Sequence, residues 1–201
     1  MLLLDLFCGT KSLKPIVEKN GWDYIGLDIE KDFKPEICVD FLKWDYKSIK
    51  PDMIWASPDC SCYSLASGNR HFNADHTPKT EKCQIHLKIL EKLKECINYH
   101  LSVNPKLIYY IENPTARMSW FINPLIYPRY DVSYCKYGFN RMKPTTIWTN
   151  KKGFIPKKCK NNNPECNHIR APRGSKTGTQ GIPKTERYKI PVKLLEELLK
   201  V

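Results

Sequence analysis

Short apolar runs alternate with polar or amphipathic stretches through the first half of the chain. Residues 2–7, 24–27, 53–56 and 107–111 read as buried strands, and Ile37-Cys38-Val39 as a further short one. Residues 14–20 read as a short helix. Between residues 80 and 101, Ile85, Ile89, Leu93 and Ile97 recur four apart, with Leu90 and Cys96 beside them and Lys and Glu between. That spacing predicts a long amphipathic helix. Strands separated by helices predict an α/β domain with a mostly parallel, doubly wound sheet. Ligands of such sheets bind in the crevice outside the carboxyl ends of the strands.

The polar residues at those strand ends are therefore the candidate chemistry. Cys8, Gly9 and Thr10 close the first strand, Asp28 the second and Asp40 the third. Cys60 follows Met53-Ile54-Trp55-Ala56 on a turn opened by Pro58, and Glu112-Asn113-Pro114 ends the strand at 107–111. A thiol just past a strand, at the rim of a sheet, is placed to act as a nucleophile. An acid at the end of the second strand suits the paired hydroxyls of a ribose, because a carboxylate accepts from both.

Charge changes the picture. Lys and Arg exceed Asp and Glu by 12 over the 201 residues. Up to Tyr134 there are 17 basic and 17 acidic residues, and from Cys135 onward 16 and 4. A neutral body with a strongly basic last third points to a polyanionic partner, since clustered Lys and Arg release counterions from phosphates. No apolar run approaches the roughly 20 residues needed to cross a bilayer. The 9 cysteines are odd in number, scattered and preceded by no secretory leader. The expected setting is a reducing cytoplasm, prokaryotic or of a virus-infected host.

Several ordered motifs carry a specific resemblance: Asp5-Leu6-Phe7-Cys8-Gly9, Gly26-Leu27-Asp28-Ile29-Glu30, Val39-Asp40-Phe41, Ser57-Pro58-Asp59-Cys60-Ser61-Cys62-Tyr63-Ser64, Ile111-Glu112-Asn113-Pro114 and Tyr137-Gly138-Phe139. In that order they resemble the motifs of the DNA (cytosine-5) methyltransferases, and nearly the whole chain takes part. The resemblance implies a Rossmann-like methyltransferase fold that binds S-adenosyl-L-methionine. It assigns Asp5, Phe7, Cys8, Gly9, Thr10, Asp28, Ile29, Asp40, Phe41 and Pro58 to the cofactor. Cys60 becomes the nucleophile, Glu112 with Asn113 the group that activates the base, and Arg141 and Lys143 contacts to the target. The chemistry implied is methyl transfer to carbon 5 of cytosine in DNA through a covalent Cys60 adduct, on a base flipped out of the duplex. An RNA substrate, or nucleic-acid binding without catalysis, are the alternatives.

Three departures from the family pattern stand out. Lys11 falls where the family has a second glycine, which would set a positive charge beside a cationic cofactor. Asp59 stands where the family has a proline, next to the thiol, where it would raise the thiol's pKa unless it points away. The family's target-recognition region shrinks to residues 151–185, between a catalytic domain at 1–150 and a closing helix at 186–201. That insert carries Lys151, Lys152, Lys157, Lys158, Lys160, Arg170, Arg173, Lys176 and Lys184, with Gly174, Gly178 and Gly181. Such a stretch suits phosphate contacts and predicts short or degenerate target specificity. Cys159, Cys166 and His168 within it are of zinc-binding type, but their spacing is not a standard zinc pattern and a fourth ligand is missing, so no metal site is assigned.

Overall fold

The computed structural model describes residues 1–160, 163–170, 179 and 181–200. Its strands are β1 (Leu2–Leu6), β2 (Asp23–Asp28), β3 (Ile37–Cys38), β4 (Met53–Ala56), β5 (Ile108–Pro114), β6 (Arg129–Ser133) and β7 (Pro144–Thr149). Its helices are α1 (Lys14–Lys19), α2 (Glu81–Val103), α3 (Lys184–Tyr188) and α4 (Val192–Leu198). The strands form one seven-stranded sheet in the order β3-β2-β1-β4-β5-β7-β6. From β3 to β5 every pairing is parallel, whereas β7 runs antiparallel to both β5 and β6. Among the described residues no helix is long and apolar enough to cross a membrane.

The inner strands are apolar on both sides because both sides are covered. Leu4, Leu6, Ile54, Ala56 and Ile111 pack with Leu90, Leu93, Cys96 and Ile97 of α2. Alternate residues Leu3, Met53, Trp55 and Tyr110 pack on the other face with Ile16 and Val17 of α1 and Leu194, Leu195 and Leu198 of α4. The strand period of two thus divides each run between two cores. Tyr110 also anchors α4 directly, its hydroxyl donating to the Leu198 carbonyl at 2.6 Å.

Helix α2 starts where the Thr80 hydroxyl accepts from the Cys83 N–H. Its buried stripe is Cys83, His86, Leu90, Leu93, Cys96, Ile97 and His100, while Ile85 is 41% exposed. A strict spacing of four advances about 40° per step against the helical period, so the Ile85–Ile97 line drifts off the core toward its N-terminal end. The expected closing helix is two pieces, α3 and α4, separated by Lys189-Ile190-Pro191. Strand β6 was not expected: Val132 is its lone aliphatic residue, and it holds its place through main-chain pairing to β7 and a 2.9 Å bond from the Thr146 hydroxyl to Asp131.

Loop and strand are locked together where β2 passes beneath the first turn. Glu36 accepts from the Gly26 N–H at 2.9 Å and pairs with Lys11 and Lys14 at 3.0 and 2.8 Å. Burial opposes its ionisation, but these three hydrogen bonds outweigh it and hold the carboxyl down at about 2. A Cβ on Gly26 would lie 2.8 Å from Glu36 Oε2, 2.9 Å from the Tyr24 hydroxyl and 3.0 Å from Cys8 Sγ. Gly26→Ala is therefore expected to destabilise the fold by about 1–3 kcal/mol through overpacking, measured by urea denaturation. An unchanged midpoint would show that Glu36 and Tyr24 move aside at no cost.

Candidate active site

One crevice of about 1110 Å3 opens at the carboxyl ends of β1, β2, β4 and β5. Asp5, Phe7, Cys8, Gly9, Thr10, Asp28, Ile29, Asp40, Phe41 and Pro58 all line it, and so do Cys60, Glu112, Asn113 and Lys143. Arg141 does not line it: its backbone instead forms an isolated bridge with Ile169.

The turn after β1 is built on left-handed backbone, with φ of 61° at Phe7, 48° at Gly9 and 53° at Lys11. Two of these carry side chains that the conformation disfavours, so the turn's shape is imposed by its partners. Asp28 Oδ2 accepts the Gly9 N–H at 2.9 Å, and Oδ1 accepts that of Glu30 at 3.0 Å. Cys8 N–H bonds the Leu27 carbonyl at 3.1 Å. Lys11 turns away from the crevice: its ammonium bonds the Lys34 carbonyl and the Glu36 carboxylate. The charge expected beside the ligand is thus neutralised beneath the turn. Phe7 meets Phe41 edge to face at 4.9 Å and forms an aromatic wall. Asp5 lies under the turn, 1% exposed, accepting from the Tyr24 hydroxyl at 2.7 Å. Burial, reinforced by the Asp28 and Glu36 charges, raises its carboxyl to about 7.

At the other end of the crevice, Cys60 caps the turn after β4, its carbonyl accepting the Tyr63 and Ser64 N–H groups at 3.0 and 2.8 Å. Burial first, then the charges of Asp59 and Glu112, push its thiol up to about 11, while Lys143 acts the other way. Asp59 nonetheless points away, accepting from the Ser61 N–H and hydroxyl at 2.8 and 2.7 Å and lying 3.6 Å from both Lys82 and His86. Asn113 Nδ2 donates to the Pro58 carbonyl at 2.8 Å and so ties the end of β5 to the turn that holds Cys60.

Glu112 is 6% exposed and accepts from the Tyr134 hydroxyl at 2.8 Å, with Lys143 Nζ 3.9 Å away. Lys143 is held in turn 4.5 Å above the Tyr134 ring and by the Arg187 carbonyl. Burial and then the Glu112 charge keep the Tyr134 phenol well above its ordinary value, so it remains a donor. Tyr134 was not among the expected site residues. It follows β6, whose weak apolar pattern hid the strand, and only the antiparallel pairing of β6, β7 and β5 brings it under Glu112.

No protein-family model matches the chain. It is 33% identical, over an alignment of 218 positions covering 99% of both chains, to a probable DNA (cytosine-5)-methyltransferase of Frog virus 3 (isolate Goorha). The chain belongs to the DNA (cytosine-5)-methyltransferase family. Among solved structures, the Dnmt2 methyltransferase of S. pombe shares its fold, with a TM-score of 0.51 and 13% identity over 78% of this chain and 53% of that one. The Entamoeba histolytica methyltransferase EhMeth aligns with a TM-score of 0.44 and 18% identity over 80% of this chain and 57% of that one. The chain thus spans little more than half the length of either.

Several positions in this methyltransferase were not read from the sequence. The crevice is also lined by Arg70, Lys82 and Arg187, which join Lys143, and by His71, whose pKa burial lowers. In the insert, Lys151 bonds the Lys200 carbonyl, Lys157 pairs with Glu197, and Lys158 lies 3.3 Å from Asp131. Lys152, Lys160 and Arg170 are exposed there. Arg173, Lys176, Gly174 and Gly178 lie outside the described residues. Cys159, Cys166 and His168 gather with Cys135, which comes from the turn after β6.

Two outcomes are expected from this electrostatic arrangement. Asp59→Asn removes one of the charges opposing ionisation of Cys60. A shift of about half a unit would raise the thiolate fraction, and the alkylation rate of Cys60 near neutral pH, about threefold. An unchanged rate would mean that solvent screens Asp59 completely. Asp5 has a folded value above its ordinary 3.8. Its contribution to stability is present below about pH 4 and is lost as pH rises through about 7. The melting temperature of Asp5→Asn, relative to wild type, should climb by several degrees over that window. A pH-independent difference would contradict it.

Proposed function

We propose that the chain transfers a methyl group from S-adenosyl-L-methionine to carbon 5 of cytosine in DNA through a covalent bond to Cys60. The division of charge along the crevice carries this reading. Asp28, Glu30 and Asp40 line one end, and Arg70, Lys82, Lys143 and Arg187 the other, where Asp59 and Glu112 offset part of the positive charge beside Cys60. A cationic nucleoside suits the acidic end and a phosphodiester chain the basic rim.

The chemistry of the cofactor end fits. Asp28 has carboxylate lone pairs free for ribose hydroxyls after accepting its two N–H bonds. The left-handed turn keeps Lys11 out of the crevice, and the Phe7–Phe41 wall offers apolar rings to a purine. When bound, the cofactor supplies an electrophilic methyl group on a sulfonium. Cytosine carbon 5 is too weak a nucleophile to take it unaided.

Cys60 overcomes this by giving up its proton to solvent and adding as the thiolate to carbon 6, which forms the sulfur–carbon bond and leaves carbon 5 electron-rich. Glu112 shares a proton with ring N3, so no net negative charge accumulates there. The same sharing cancels the carboxylate charge that opposes ionisation of Cys60. Tyr134 fixes the Glu112 oxygen, and Lys143 balances the pocket. Once carbon 5 carries the methyl group, its proton passes to solvent water and the sulfur–carbon 6 bond breaks, which returns Cys60 as the thiolate and restores the aromatic ring. The thiol sits within a crevice that a stacked base cannot enter, so a duplex substrate must flip its cytosine out.

The test compares wild type, Cys60→Ala and Glu112→Gln with labelled cofactor on duplex DNA, single-stranded DNA and transfer RNA. Transfer to duplex DNA is expected, abolished by Cys60→Ala and reduced at least about 100-fold by Glu112→Gln. A fluorocytosine duplex should trap a covalent complex only where Cys60 is present. Preferential transfer to RNA would change the substrate, and binding without transfer or trapping would end the catalytic reading. Bisulfite mapping should find a short or degenerate target. Strict methylation of one long site would show that the small insert reads more than phosphates.

A further inference from the structure

Four side chains of zinc-binding type converge away from the crevice. Cys135 lies on the 3₁₀ turn after β6, and Cys159, Cys166 and His168 in the chain that follows β7. One ligand atom from each falls within 4.8 Å of all the others. His168 Nδ1 is 3.1 Å from Cys166 Sγ and 3.8 Å from Cys159 Sγ. A tetrahedral zinc with bonds of about 2.3 Å to sulfur and about 2.0 Å to nitrogen spaces its ligands roughly 3.5–3.8 Å apart. The cluster needs only small adjustments to reach that spacing.

Two further observations favour a metal over simple packing. His168 is buried, and its Nδ1 faces the sulfurs of Cys159 and Cys166. Coordination through Nδ1 would fix the proton on Nε2, which has no partner among the described residues. All three cysteines are free thiols, and a disulfide would use only two of them. In the segment that carries Cys159, Cys166 and His168, Ile155 is 79% and Ile169 52% exposed. The segment is held to the body by Ser133 N–H to the Lys157 carbonyl, Cys159 N–H to the Ser133 hydroxyl and Ile169 N–H to the Asn140 carbonyl.

We propose that Cys135, Cys159, Cys166 and His168 bind one structural zinc ion that fastens the basic insert to the turn carrying Tyr134. Three thiolates and an imidazole fill a tetrahedral shell and select zinc over harder divalent cations. None of the four lines the crevice, so the ion has a scaffolding role and offers no position to a substrate. Its reach is still functional in position: Cys135 is next to Tyr134, whose hydroxyl bonds Glu112. The inference rests on these four residues and is independent of the reading of the crevice.

The test uses the full chain, expressed with zinc and purified under reducing conditions without chelator. Elemental analysis should find about one zinc per chain in wild type and in the exposed-thiol control Cys38→Ser, and none in Cys159→Ser or His168→Asn. Because those variants could unfold, wild type is also stripped with chelator and reloaded with cobalt(II). Thiolate-to-cobalt charge transfer and the visible bands of tetrahedral cobalt are expected. Limited proteolysis within residues 151–170 should quicken about tenfold on stripping and return to its first rate on adding zinc. Purified wild type without zinc and without those bands after cobalt loading would overturn the proposal, as would a Cys159–Cys166 disulfide as the stable state under reducing conditions.

Discussion

The structure depends on the parallel alignment of β2, β1, β4 and β5. Parallel strands all end at the same edge of the sheet, so residues far apart in sequence meet wherever each strand gives way to a turn. Leu6 pairs with Leu27 and Ala56, and Ala56 with Ile111, which fixes Phe7, Asp28, Ser57 and Glu112 at one level. The alignment survives because both faces are packed: slipping one strand by a single residue would exchange the contents of two cores. The antiparallel pair β7 and β6 then adds what the parallel strands cannot. It returns the chain past Glu112 and delivers Lys143 and Tyr134 from the far side.

The crevice is also divided electrically. At the β1–β2 end, the acids are held by main-chain amides and one phenol, and the nearest ammonium, Lys11, is drawn under the turn by Glu36. At the β4–β5 end, Asp59 is turned from the thiol by Ser61, Lys82 and His86, which line the crevice with it. Both residues that depart from the family pattern are thereby accommodated by partners of opposite charge. A family pattern records which residue types recur, and a local counter-charge can stand in for one that has changed.

Much of the site was legible because strand ends announce themselves. An apolar run followed by Gly, Asp, Pro-x-Cys or Glu-Asn-Pro identifies both the strand and the residue it presents, and those positions share one crevice. What escaped were features made by contact between segments. Tyr134 and Cys135 follow a strand with too few apolar residues to register, and their significance lies in neighbours more than 20 positions away. Nothing in the sequence marks Glu36, whose bonds to Gly26, Lys11 and Lys14 join separate segments. On α2, Leu90, Leu93, Cys96 and Ile97 are buried as the pattern predicts, whereas Ile85 drifts off that face and Cys83, His86 and His100, which the apolar spacing does not mark, join it.

The bond from Asn113 to the Pro58 carbonyl ties the end of β5 to the turn after β4, on strands that are themselves paired. Sulfur and carboxyl therefore belong to a single stiff block whose geometry does not wait for a visitor.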